Sequence, residues 1–150
     1  MKKTILTFFL MTSLTIFAFG QQVQVKTVYI YADSTLVENL LDAAEIEYEK
    51  IGLESYNLKL NGFTVRLTID EELLVLRSSF IVDLPLERVN DFNMRYLWVR
   101  DYMDENRNLT VAQELNFDGG LTVENISSII DTYGLLLEYL IDYLHSVNPS

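Results

Sequence analysis

The apolar positions of this chain follow two spacings, and the switches between them mark out its elements. Residues 34–46 carry Leu36, Val37, Leu40, Leu41 and Ala44 on one helical face. Thr35 and Glu38 have the spacing of a capping box, which satisfies two backbone donors at a helix start. Residues 47–52 supply a short strand. Leu58-Lys59-Leu60, Asn61-Gly62 and Phe63 to Ile69 then alternate apolar and polar. Asn-Gly accepts the positive φ of a type I′ turn at both positions. A two-residue turn sets Leu60 against Phe63 and Leu58 against Val65, with Lys59, Thr64, Arg66 and Thr68 on the other side. Asp70-Glu71-Glu72 forms the next turn. Leu73 to Val82 is a strand apolar on both faces at its start, as a central strand must be.

The helical spacing returns after Asp83-Leu84-Pro85. Proline suits a first helical position, and Val89, Phe92, Asn93 and Tyr96 share a face behind it. Leu97 to Met103 reads as a strand, Asp104-Glu105-Asn106-Arg107 as a turn, and Asn108 to Phe117 as the last strand. Asp118-Gly119-Gly120 breaks the chain, and Thr122 caps a third helix. In that helix Val123, Ile126, Ile130, Tyr133, Leu137, Leu140 and Leu144 follow steps of three and four. Roughly 24 residues give about 36 Å of helix. The pattern predicts an α+β fold: an antiparallel five- or six-stranded sheet with three helices, in the order α-β-β-β-(β)-α-β-β-α.

The N-terminus has a different character. Lys2 and Lys3 precede an apolar run to Phe19, and Ala18-Phe19-Gly20 offers small residues for cleavage before Gln21. The run is short and interrupted by Thr7, Thr12, Ser13 and Thr15, which favours a removed signal peptide over a retained anchor. The expected organisation is a signal peptide at 1–20, an extended arm or edge strand at 21–33, one domain at 34–146 and a tail at 147–150. The protein is then periplasmic or secreted and meets a membrane only during export.

Composition sharpens this picture. The 150 residues are 49% hydrophobic and 12% aromatic, enough for one domain with a true core. The absence of cysteine excludes disulfides, thiol nucleophiles and a lipoprotein anchor. Loss of residues 1–20 removes Lys2 and Lys3 and no acid, so the net charge of −11 becomes −13. Such a surface disfavours nucleic acid and anionic lipid. Solubility is the plainer reading of the acidity, and a basic partner the sharper one.

Catalytic and metal patterns are thin, so no enzyme activity, metal or cofactor is expected. His145 is the sole imidazole and sits near a helix C-terminus, where the dipole favours it as a capping group. Asp104, Asn106 and Asn108 imitate the start of a calcium loop, but Leu109 stands where glycine should follow and Leu115 where glutamate should close it. A hairpin turn explains them better. Asp70, Glu71 and Glu72 read as a solvated turn. Asn90 and Asn93, one turn apart on a helix that asparagine does not favour, read as holders of neighbouring backbone.

The Trp98, Arg100, Tyr102 stripe depends on register. A four-residue turn sets Trp98 against Gln113, Arg100 against Val111 and Tyr102 against Leu109, which makes the stripe core with Arg100 as a misfit. If the stripe is exposed, its aromatic-plus-arginine composition is that of a partner-binding surface.

Val89-Asn90-Asp91-Phe92-Asn93 resembles the Leu-Asn-x-Trp-Asn helix motif of the YbjN-type domain. That family's Arg-aromatic strand matches Arg95-Tyr96-Leu97-Trp98, and its Gly-Gly before a long apolar helix matches Gly119-Gly120. The resemblance covers roughly residues 34–146, with Phe92 where tryptophan is usual. It implies a bacterial sensory transduction regulator with a fold similar to type III secretion chaperones. It also implies a domain that meets other proteins, including as a homodimer, and supplies no catalytic residues. Two functions remain open: a secreted, non-catalytic protein-interaction domain, and a small-molecule or lipid carrier with a pocket between the C-terminal helix and the sheet.

Overall fold

The computed structural model describes residues 26–70, 72–82, 84–96 and 99–147. The segment expected to be a signal peptide, 1–20, the start of the arm, Trp98 and the end of the tail lie outside the described residues. The elements run α1 (Ser34–Ala43), β1 (Tyr48–Lys50), β2 (Ser55–Leu60), β3 (Phe63–Asp70), β4 (Leu73–Phe80), α2 (Leu86–Arg95), β5 (Arg100–Met103), β6 (Leu109–Asn116) and α3 (Val123–Val147). The six strands form one antiparallel sheet in the order β1-β2-β3-β4-β6-β5. This is the expected α+β class, with the sixth strand present.

Local chemistry sets the joints. Asn61 and Gly62 have φ of 50° and 84°, so the β2–β3 turn is of the primed type, and Leu60 pairs Phe63 as the two-residue turn requires. At α1 the cap differs from expectation. Asp33 Oδ1 accepts the Leu36 N–H at 2.7 Å. Glu38 is drawn instead to Lys50 Nζ at 2.8 Å and the Tyr56 hydroxyl at 2.9 Å, which tie α1 to β1 and β2. Pro85 stands just before α2, and its carbonyl accepts the Arg88 N–H that closes the first turn.

The core fills one face of the sheet. Tyr56, Leu58, Val65, Leu67, Leu74, Leu76, Val111 and Leu115 point into it from the strands. Val37, Leu40 and Leu41 of α1, Val89 and Phe92 of α2, and Ile126, Ile130, Tyr133, Leu137 and Leu140 of α3 meet them. Burying each such side chain contributes roughly 1.5–3 kcal/mol. Central β4 is buried on both sides at Leu74, Val75 and Leu76, as its unbroken apolar run predicts. The Phe92 ring lies 5.4 Å from that of Tyr143, seating α2 on α3, and 4.5 Å from Tyr96 at the end of its own helix. The helices supply core to one face only. The other face displays Asn57, Lys59, Thr64, Arg66, Arg77, Ser79, Arg100, Tyr102 and Glu114.

Candidate interaction surface

The β5–β6 hairpin decides what the outer face displays. Met103 pairs Leu109, so five residues, 104–108, join the strands. Arg107 takes φ of 63°, its N–H donates to the Asp104 carbonyl at 2.9 Å, and the Asp104 N–H donates to the Asn108 carbonyl at 2.9 Å. This is a turn followed by a left-handed residue, the arrangement that adds a bulge. The four-residue turn expected from the sequence is one residue short. The extra residue moves Arg100 opposite Ala112 and Tyr102 opposite Thr110, and puts Asp101 opposite Val111. Arg100 and Tyr102 therefore leave the core, and Asp101 enters it. The Arg100 side chain is 79% exposed and Tyr102 is 41% exposed, whereas Asp101 is 6% exposed.

Pairing across the sheet lines these residues up. One row runs Glu49, Asn57, Arg66, Arg77, Ala112, Arg100, each opposite the next. Beside it, Ser79 and Tyr102 flank Thr110, and the Ser79 and Thr110 hydroxyls lie 3.0 Å apart. Lys59 Nζ donates to the Thr64 hydroxyl at 2.7 Å. Glu114 approaches Arg100 Nη1 at 3.9 Å. The surface is thus a sheet face with a line of guanidinium groups, a tyrosine at one end and hydroxyls beside it.

Beneath this surface lies a polar cluster that the sequence reading did not identify. Among the described residues both Asp101 carboxyl oxygens are buried without a hydrogen-bond partner, and the buried Ser78 hydroxyl faces Tyr133, whose pKa it acts to lower. The Tyr133 hydroxyl donates to the Val111 carbonyl at 2.9 Å. Burial pushes the Asp101 carboxyl up to about 7. Burial first, and the nearby Asp101 charge second among the raising causes, push Tyr133 up as well. A buried aspartate in a strand facing the core has a visible sequence signal, its own alternation with Met103, but only once the register is right.

Asn93 and Asn90 differ. Asn93 Oδ1 accepts the Asp101 N–H and its Nδ2 donates to the Asp101 carbonyl, both at 2.8 Å, so it covers the open edge of β5. Asn90 is exposed on the same helix. Gly119 and Gly120 both have φ of 84°, and a Cβ on Gly120 would collide with Val28 Cγ1. There the arm crosses, and Tyr29 and Leu121 exchange two backbone hydrogen bonds of 2.8 Å.

Space for a ligand is unevenly spread. Where α1, α3 and the sheet meet, the gap lined by Val37, Leu67, Phe117 and Ile130 is only about 10 Å³, less than a carrier requires. A groove of about 500 Å³ opens instead between the arm and α1, walled by Val28, Ile30, Tyr31, Leu36 and Leu40. Among the described residues no cluster of three or more acids or imidazoles gathers as a metal ion would need. The Asp104 carboxylate accepts the N–H groups of Asn106 and Asn108 at 2.9 and 2.8 Å, and these hydrogen bonds, Asn108's foremost, lower its pKa.

A family model described as "Putative bacterial sensory transduction regulator", YbjN, matches residues 33–146. The chain belongs to the YbjN family. Its fold is similar to the crystal structure of E. coli YbjN, with a TM-score of 0.65 at 14% identity over 81% of this chain and 96% of that one. It is also similar to a chain of the HopA1–SchA chaperone–effector complex, with a TM-score of 0.55 at 18% identity over 73% of this chain and 90% of that one. A Methanothermobacter thermautotrophicus protein of uncharacterised role matches with a TM-score of 0.53 at 16% identity over 76% and 98%. No curated protein sequence matches the chain. At these identities the structures establish a shared YbjN-like, type III chaperone-like fold. Asn90, Phe92 and Asn93 lie on α2, inside residues 33–146.

Proposed function

We propose that this chain is an exported, non-catalytic protein-interaction domain of the YbjN family that works by laying the open face of its sheet against a partner protein. The observation that carries the reading is the outer face, which none of the described helices covers, with Arg100 and Tyr102 turned out of the core by the five-residue β5–β6 connection. Arginine and tyrosine are the residue types that dominate binding energy at interfaces. A hydrogen-bonded sheet presents them from a backbone with little conformational entropy left to lose on docking. The likeness to a chain of a chaperone–effector complex supports a protein as the bound species. Lys2 and Lys3, the apolar run behind them and the small residues of Ala18-Phe19-Gly20 support export, with the mature chain beginning at Gln21.

Site-specific photo-crosslinking in cells tests the reading. A benzophenone side chain at position 102 should yield one discrete protein adduct, and one at exposed Asp131 on α3 should not. Adducts from position 131 alone would overturn the choice of surface. Intact mass of the chain recovered from the same cells should begin at Gln21, and a mass that retains residues 1–20 would overturn export.

A further inference from the structure

The open face carries a charge arrangement that the fold alone does not need. Arg66 and Arg77 are directly opposite one another on β3 and β4, and Arg100 follows two strands further along the same row, beyond Ala112. Like charges placed opposite each other across a strand pair destabilise it. The chain has 22 acids against 11 lysines and arginines, so counter-charges are plentiful. Among the described residues none of them pairs with Arg66 or Arg77. Asn57 stands between Glu49 and Arg66, and Glu114 reaches only Arg100, at 3.9 Å.

From this we infer that the sheet face takes an extended acidic segment of the partner protein, laid across the strands so that its carboxylates meet Arg66, Arg77 and Arg100. This rests on the proposed docking face and adds the chemistry of what docks there. Strand spacing puts the Arg66 and Arg77 backbones about 5 Å apart and Arg77 and Arg100 about 10 Å apart. An extended segment presents side chains on one side about every 7 Å, well within the reach of these long side chains. Guanidinium groups match carboxylates with paired hydrogen bonds, which an ammonium cannot do. Tyr102, Ser79 and Thr64 beside the row offer hydroxyls to the segment's backbone.

A phosphate backbone would also seek arginines. It is the less favoured anion, because a long polyanion must approach a molecule whose net charge is −13 once Lys2 and Lys3 are lost, whereas a short acidic segment brings few charges.

The test uses the full chain and three probes: a labelled peptide of alternating glutamate and serine, its glutamine counterpart, and a single-stranded oligonucleotide. The glutamate peptide should bind at least about ten-fold more tightly than the glutamine peptide, and added salt should weaken it. Arg66→Gln combined with Arg77→Gln should weaken it at least about ten-fold, with the fold confirmed by circular dichroism. Backbone amide signals of β3, β4 and β6 should move on titration. Equal binding of the two peptides, an unaffected double variant, or tighter binding of the oligonucleotide would overturn the inference. The crosslink at position 102 separates the two ideas. An adduct that persists in the double variant keeps the docking face and sinks the acidic segment. Loss of the adduct in the wild-type chain sinks the docking face itself.

Discussion

The carboxamide of Asn93 serves Asp101 as a neighbouring strand would: it accepts the backbone N–H and donates to the carbonyl, each at 2.8 Å. β5 is the last strand of the sheet, and at Asp101 its free edge is closed by α2. Asn93→Ala should therefore cost about 2 kcal/mol, the loss of two hydrogen bonds at a half-buried site. Asn90→Ala, at an exposed position on the same helix, should stay within about 0.5 kcal/mol. Urea denaturation measures both. Hydrogen exchange at the Asp101 amide should quicken in the Asn93 variant alone, and equal effects of the two substitutions would remove the edge-closing role.

Asp101 makes stability depend on pH in an unusual direction. Its folded pKa is raised to about 7 by burial, while an unfolded aspartate titrates near about 3.9. The folded state therefore holds the proton more tightly. The contribution is fully present below about pH 4 and is lost as pH rises through about 7, at no more than about 1.4 kcal/mol per pH unit. Asp101→Asn keeps the Asn93 contact, which is to backbone, and removes the titration. Between pH 5.5 and 8.5 the wild-type chain should lose up to about 2 kcal/mol relative to this variant. Parallel stability curves for the two chains would show that the carboxyl is not buried as described.

How far the sequence foretold these features depends on whether local chemistry or register decided them. The β2–β3 hairpin was legible because Asn61-Gly62 admits only a narrow set of turns, and these fix which side every flanking residue faces. The long α3 was legible from its apolar spacing, with Ile126, Ile130, Tyr133, Leu137 and Leu140 all buried. The β5–β6 hairpin was not. Nothing in Asp104-Glu105-Asn106-Arg107-Asn108 announces that Arg107 takes a left-handed conformation, which glycine or asparagine would signal more clearly. One added residue exchanged the inner and outer faces of β5, so Arg100 and Tyr102 were expected inside and Asp101 outside. The arginine row was invisible for a related reason: Arg66, Arg77 and Arg100 are scattered along the chain, and only the strand order brings them together.

Gly119 and Gly120 share a φ of 84° but not a setting. A side chain at Gly119 would meet open space, so Gly119→Ala should cost only the backbone term, about 1–2 kcal/mol. At Gly120 an added Cβ also collides with Val28 of the arm, which is held by the Tyr29–Leu121 bridge. Gly120→Ala should cost more than Gly119→Ala and should also detach the arm. Proteolysis after Lys26, whose side chain pairs with Glu124 at 3.4 Å, reads that detachment. Equal stability and equal cleavage in the two variants would mean that the arm does not depend on Gly120.

The facing arginines should be a stability cost that the free chain carries. Arg66 and Arg77 are both exposed, so the repulsion is softened by water but not cancelled by any acid between them. Cross-strand pairs contribute on the order of 0.2–1 kcal/mol, and opposed like charges act against the strand pair. Arg77→Gln removes one charge and keeps a long polar side chain beside Ala112, so the free protein should gain a few tenths of a kcal/mol. The gain should be largest at low salt and fade as the Debye length shrinks below the spacing of the two groups. Arg88→Gln, on the helical side of the molecule, provides the control, since its position is exposed but outside the row. Thermal unfolding at two salt concentrations decides the matter: a salt-independent loss of stability in the Arg77 variant would mean that these guanidinium groups support the sheet rather than strain it.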